Sequence, residues 1–174
     1  MFVGYHAREG AAEAVLAHTD NGRVIVKLNG VEVPEAGFEA AIAGDFGVPV
    51  VFLSGDQTAC HEARELVGQI ETATVKHAIG FYSAEMLPPE ESQRLIRDGG
   101  KRAVERRAEI KPYKISHPVK LEVRFNDVVI AEVVSYLPGV ERTSGNTIVF
   151  TGHDMTEVSK FLIAVLYLRM PEDK

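Results

Sequence analysis

The 174-residue chain is 45% hydrophobic and 25% charged, enough apolar material for one generous domain or two small ones and too much for a disordered segment. Its formal net charge of -6 excludes a broad phosphate-binding surface, so neither nucleic acid nor an anionic membrane is expected as a partner. The single cysteine, Cys60, can form no internal disulfide and no run is long enough to span a bilayer, so the expectation is a soluble, cytoplasmic protein.

Residues 1–5 form a short apolar run that predicts a buried strand. Residues 8–17 are alanine-rich and allow a short helix or a loop. Two runs of strand formers, 23–28 and 31–33, flank Asn29-Gly30, the strongest short-range signal for a hairpin. Pro34 suits the first position of a helix striped by Phe38, Ala41 and Ile42 and ended by Gly44 or Gly47. Residues 48–53 lack polar alternation, which predicts a strand of a parallel sheet. Ser54-Gly55-Asp56 then reads as a turn, with Asp56 as N-cap of a helix over 57–67 that holds Cys60 as a core thiol. Residues 72–75 predict another strand.

Pro88-Pro89-Glu90-Glu91 opens a long helix whose Gly99-Gly100 pair predicts either a close helix contact or a break. Residues 101–107 read as a solvated face, and 110–118, with Pro112 and Pro118, as a linker. Residues 119–125 alternate as a strand with one wet face. Residues 128–136 are ambiguous by periodicity; Val129, Val133 and Leu137 share a helical face, while the valines favour a strand. Residues 147–150 predict a strand, and Asp154 caps a last helix striped by Met155, Val158, Leu162, Val165 and Leu166, with Phe161 and Leu168 making it apolar on more than one side. The expected fold class is α/β: a mainly parallel sheet flanked by helices over residues 1–109, the linker, and a smaller α+β domain over 119–174.

Three residues stand out chemically. His6 follows an apparent buried strand, where ligands bind in open α/β sheets, and an imidazole there binds a metal, moves a proton or simply hydrogen-bonds. Glu35 opens a helix whose dipole favours its ionised form, the form a cation needs; it also fits as an ordinary first-turn acid. His18, twelve positions after His6, suits a general acid/base or an ordinary loop histidine. His61, His77, His117 and His153 share no ligand spacing, and no phosphate-binding loop, dinucleotide fingerprint, nucleophile elbow or His-Glu-x-x-His motif is present.

Gly4-Tyr5-His6-Ala7, His18-Thr19, Leu28-Asn29-Gly30, Glu35, Gly47-Val48-Pro49-Val50, Ser54-Gly55-Asp56, Val75-Lys76 and Leu137-Pro138-Gly139 stand in the order and spacing of the DppA-type D-aminopeptidases, which the chain resembles over nearly its whole length. The resemblance implies a zinc metallopeptidase that releases amino-terminal D-amino acids from short peptides such as D-Ala-D-Ala and assembles into ring-like homo-oligomers. It implies metal ligation by His6 and Glu35, catalysis by His18 and no organic cofactor. Members of the family also carry an upstream segment with an Asp-x-Glu pair and a further His that complete a site for two zinc ions; those motifs are absent here. The chain is therefore expected to be the carboxyl part of such an enzyme, incomplete alone and prone to self-association. Two other readings stay open: a non-catalytic peptide-binding or oligomerisation module, and an unrelated α/β enzyme with a His6/His18 acid/base pair.

Overall fold

The computed structural model describes residues 1–20 and 24–167. In chain order the elements are β1 (Phe2–Tyr5), β2 (Ile25–Leu28), β3 (Val31–Glu32), α1 (Glu35–Asp45), β4 (Phe52–Asp56), α2 (Gln57–Val67) and β5 (Glu71–Gly80). There follow β6 (Ser83–Met86), α3 (Pro89–Glu105), β7 (Val119–Arg124), α4 (Val128–Val134), β8 (Val140–Ser144), β9 (Thr147–Gly152) and α5 (Met155–Tyr167). Arg23 and Leu168, placed by the sequence in a strand and a helix, lie outside the described residues.

The result is a mixed α/β fold with two sheets. The first has the order β1-β4-β5-β6; its first three strands are parallel and β6 runs antiparallel to β5. The second is antiparallel throughout, in the order β3-β2-β7-β9-β8. Asn29 and Gly30 both take positive φ, 50° and 86°, as a two-residue hairpin turn requires. That hairpin belongs to the second sheet: β2 pairs with β7, so this sheet draws strands from both sides of residues 110–118.

Several local expectations shift. The ladder over the third apolar run begins at Phe52, not Val48, and passes through Ser54-Gly55-Asp56, which form strand rather than turn. Val50 and Val51 are buried beside the sheet without joining it in regular pairing. Gly55 belongs in the strand because a Cβ there would fall 2.5 Å from the Tyr5 carbonyl oxygen. Pro34 is the N-cap of α1 rather than its first residue, and its carbonyl accepts from Gly37 and Phe38. The α3 helix runs unbroken through Gly99-Gly100; a Cβ on Gly99 would meet Phe52 at 2.7 Å, so the glycine marks a close helix–strand contact. Residues 128–134 are helical, and Asp154 caps α5 by accepting from the Glu157 amide at 2.8 Å. The strand β6, the outer half of β5 and β8 had no counterpart in the sequence reading.

Two apolar clusters hold the sheets. One, under the second sheet, is built from Val26, Leu28, Leu121, Val123, Ile148, Met155, Leu162 and their neighbours. The other, around the first sheet, is largely alanine, with Phe52, Leu53 and Cys60 among its larger members.

Candidate active site

The parallel strand β1 ends at Tyr5, and His6 leaves its carboxyl end into a loop that covers residues 7–20. This loop is irregular, not helical, and Glu13, Leu16 and Asp20 hold positive φ (53°, 51° and 56°), which costs on the order of 1–2 kcal/mol for a residue such as leucine. It keeps this shape because its backbone is pinned from outside. Asp56 is fully buried; its Oδ1 accepts from the Ala59 amide at 2.8 Å as the expected N-cap, and its Oδ2 accepts from the Val15 amide at 2.9 Å. Glu62 accepts from the Arg8 amide and Thr19 Oγ1 from the Glu9 amide, while the His18 amide donates to the Ala7 carbonyl. Arg8 adds an ion pair to Glu62, whose carboxyl is nonetheless raised by burial, with the Arg8 contacts opposing.

The pinned loop brings His6 and His18 together, with ring centroids 4.9 Å apart. The Nδ1 of His6 lies 2.8 Å from the Val15 carbonyl oxygen and that of His18 lies 2.7 Å from the Leu16 carbonyl oxygen. A carbonyl only accepts, so both Nδ1 atoms carry the proton. In the neutral rings each Nε2 is left with its lone pair, the arrangement that suits an imidazole for a metal or for taking a proton.

Glu35, half-buried at the start of α1, lies close enough for its carboxyl to respond to the same neighbourhood. It is raised by burial first, then by Glu39 and Asp20, and lowered by His18. Glu39 stands one turn after Glu35 on the same face of α1, and its Oε2 accepts the Tyr5 hydroxyl proton. Burial, then that hydrogen bond, push the Tyr5 hydroxyl far above the usual phenol range. The Tyr5–Glu39 bond ties the strand that presents His6 to the helix that presents Glu35. Thr19, Asp20, Glu35, Phe38 and Glu39 help line a cavity of about 80 Å³, and a larger cleft of about 470 Å³ opens between Arg8, Val31, Pro34 and Glu62.

All three residues singled out in the sequence thus lie in one neighbourhood. The sequence reading missed Glu39, Asp20 and the loop anchor Glu62. Glu39 had a signal, its four-residue spacing from Glu35; Tyr5 as its partner had none, because that contact joins two elements distant in sequence. As donors, an imidazole nitrogen of His6 and the Glu35 carboxylate suit zinc. Among the described residues, however, no group of three His, Cys, Asp or Glu side chains converges as a metal donor set, so the donor chemistry fits and the donor number does not.

Comparison with known proteins identifies relatives of the whole chain. A sequence model of the D-aminopeptidase family (peptidase family M55) matches residues 1–164. A D-aminopeptidase of Bacillus subtilis (strain 168) is 31% identical over 172 residues, which are 98% of this chain and 62% of the relative. The solved structure described as the Zn-dependent D-aminopeptidase DppA from Bacillus subtilis, a self-compartmentalizing protease, superposes with a TM-score of 0.91 at 29% identity, covering 98% of this chain and 63% of that one. The chain therefore spans less than two thirds of the length of these relatives.

Proposed function

Since the chain belongs to the D-aminopeptidase family, we propose that it carries the histidine half of a zinc-dependent D-aminopeptidase site. The observation that carries this reading is the His6/His18 pair, both rings fixed through Nδ1 with Nε2 left available beside Glu35. In this reading His6 and Glu35 are metal ligands. Catalytic zinc takes three protein ligands, so the remaining donors come from polypeptide corresponding to the rest of the relatives' length, on the same or a separate chain. Bound zinc would polarise the scissile carbonyl and lower the pKa of water. His18, held by the Leu16 carbonyl, takes a proton at Nε2 and returns it to the departing amine, work worth about 10²–10⁴ in rate. The substrates are short peptides with an amino-terminal D-residue, such as D-Ala-D-Ala. The 470 Å³ cleft beside Arg8 and Pro34, neighbours of His6 and Glu35 in the chain, has the size of a ligand pocket. We further propose a cytoplasmic protein that assembles as a closed homo-oligomer.

The pairing of the two imidazoles at 4.9 Å favours one second reading, a metal-independent acid/base pair. The two separate in one experiment: hydrolysis of D-Ala-D-Ala and L-Ala-L-Ala, with added zinc and with a chelator, by this chain and by one extended to the relatives' full length. Zinc-dependent release of D-alanine by the extended chain, abolished by chelator and reduced about 10²–10⁴-fold by His18→Ala without loss of fold, is the expected result. Hydrolysis that survives chelation but not His18→Ala would replace the zinc reading with the acid/base pair.

A further inference from the structure

Both rings of the histidine pair are held by one dipeptide. The Val15 carbonyl faces Nδ1 of His6 at 2.8 Å, and the Leu16 carbonyl faces Nδ1 of His18 at 2.7 Å. An extended chain turns consecutive carbonyls to opposite sides, so the backbone has to bend at Leu16 for both to serve rings whose centroids lie 4.9 Å apart. It bends the unfavourable way: Leu16 takes the left-handed φ of 51°, and little of that cost is repaid by a side chain that is 42% exposed. A strained residue persists only where its surroundings over-determine it. Here they do so through the backbone. The Val15 amide donates to the buried Asp56, the His18 amide to the Ala7 carbonyl, and the Leu16 amide itself to the Phe81 carbonyl at 2.8 Å.

Phe81 and Tyr82 form the two-residue loop that joins β5 to β6. This tip is poorly buried, with Ile79 75% and Tyr82 80% exposed. A cavity of about 420 Å³, bordered by Ala11, Ala14, Ala78 and Phe81, lies between the hairpin and the loop over 7–20. Hydrogen bonds span it where packing does not. Gln57 donates to the Glu13 carbonyl and accepts from the Ala78 amide at 3.0 Å, but only the Phe81 bond reaches the histidines. A trans peptide sets its C=O and N–H in opposite directions, so the unit between Val15 and Leu16 runs in line from the Phe81 carbonyl to the His6 ring. An N–H engaged in this way polarises its own peptide and makes the Val15 oxygen a stronger acceptor.

We propose that Leu16, held left-handed by the Phe81 carbonyl, is the positioning residue that keeps the ring protons of both His6 and His18 on Nδ1. Which nitrogen of a neutral imidazole carries the proton is set by the hydrogen bond offered to the other. A histidine ring free in water prefers the proton on Nε2, and that would occupy the lone pair each Nε2 keeps here. Were Leu16 to relax to a negative φ, its carbonyl and that of Val15 would lose their common orientation and both rings would revert. One backbone torsion governs two imidazoles. The use of their lone pairs, for zinc and for a proton, rests on the reading proposed above; their placement does not.

The test is magic-angle-spinning NMR of the metal-free 174-residue protein carrying nitrogen-15-labelled histidine, at alkaline pH where the rings are neutral. His6→Gln and His18→Gln identify the two sets of ring signals. Wild type is expected to show Nδ1 protonated and Nε2 bare in both rings. Leu16→Gly and Leu16→Asn, which accept a positive φ, should keep both signatures although the leucine side chain is gone. Leu16→Val, whose β-branch opposes that φ, should move both rings to a majority of the Nε2–H form. Replacing residues 79–83 by Asn-Gly closes the hairpin after the Ala78–Ala84 pair and removes the Phe81 carbonyl with a largely exposed tip. That variant should behave as Leu16→Val does, and it decides the matter should Leu16→Val fail to fold. Retention of either Nδ1 proton in Leu16→Val or in the hairpin variant, or its loss in Leu16→Gly, in Leu16→Asn or from wild type, overturns the proposal. A residue that only packed the loop would give the reverse order, with glycine worst and valine nearest to wild type. No signal here depends on hydrolysis, so a failure of the peptidase reading leaves the result intact, and rings that ignore Leu16 overturn this inference alone.

Discussion

The two sheets are packed with different materials. The antiparallel sheet rests on large aliphatic residues, among them Leu28, Leu121, Val123, Ile148 and Leu162. The parallel sheet that presents His6 is packed chiefly by Ala7, Ala14, Ala17, Ala36, Ala59, Ala63, Ala73 and Ala103. Alanine gives up burial energy, at about 25 cal/mol per Å² of apolar surface, and gives close approach in return. The loop over 7–20 turns mostly small side chains inward, Ala7, Ala14 and Ala17 beside Val15 and Thr19. Its shape then depends on hydrogen bonds from Asp56, Glu62 and Thr19 instead of on bulk. One sheet carries most of the aliphatic burial; the other trades it for a precisely held loop.

The sharpest test of that division is Leu121→Ala. Leu121 is fully buried in the middle of the second sheet, between Leu28 of β2 and Phe150 of β9, and its truncation is expected to cost about 2–5 kcal/mol in denaturant unfolding. The His6–His18 arrangement, followed by the histidine ring resonances, should be unchanged. A cost below 1 kcal/mol would show that the aliphatic sheet does not carry the stability assigned to it.

Asp56→Ala probes the other side and should be smaller in stability, about 1–3 kcal/mol, since it leaves two buried amides, Val15 and Ala59, without an acceptor. Its larger consequence is local. The Val15 carbonyl holds His6, so hydrogen exchange over residues 7–20 should speed up more than the stability loss accounts for. Exchange unchanged in that loop would mean that bulk, not hydrogen bonding, holds it.

How much of this was legible in the sequence divides the same way. Local chemistry read through: the Asn29-Gly30 turn, the caps at Asp56 and Asp154, the buried Cys60 and the close contact signalled by Gly99 are set by residues near in sequence or by a glycine with one steric reason. Pairing between distant segments did not. Nothing in residues 25–32 says that β2 joins β7 nearly a hundred residues later, or that the Tyr5 hydroxyl meets Glu39. β6 and β8 stayed hidden because they are short, exposed edge strands, Ser83–Met86 and Val140–Ser144, that bury almost no apolar side chain. The run 48–53 reported burial from Val50 to Leu53 but not at Val48, which is 54% exposed, and it did not report the ladder, because apolarity does not say which amides pair. His6, His18 and Glu35 were legible as types and positions; their meeting depends on a loop held by side chains far along the chain.

The smallest effect comes from a charge cluster that ties α3 to the first strand residue behind the site. Glu71 opens β5 and faces Arg102 and Arg106 of the α3 end. Burial pushes its carboxyl up, but hydrogen bonds and charge from the two guanidinium groups outweigh that and hold it below the usual glutamate value of 4.5. A carboxyl depressed in the folded state binds its proton more tightly when unfolded, so its contribution is fully present above pH 4.5 and is lost as the pH falls through the depressed folded value. Glu71→Gln should therefore lower the thermal midpoint at pH 7 by no more than about 2–4 °C, because both arginines are largely solvated. Wild type and variant should converge as the pH is brought well below 4.5. A difference that persisted undiminished in acid would mean that Glu71 acts by packing, and the parallel sheet would then owe less to polar pinning than its alanine core implies.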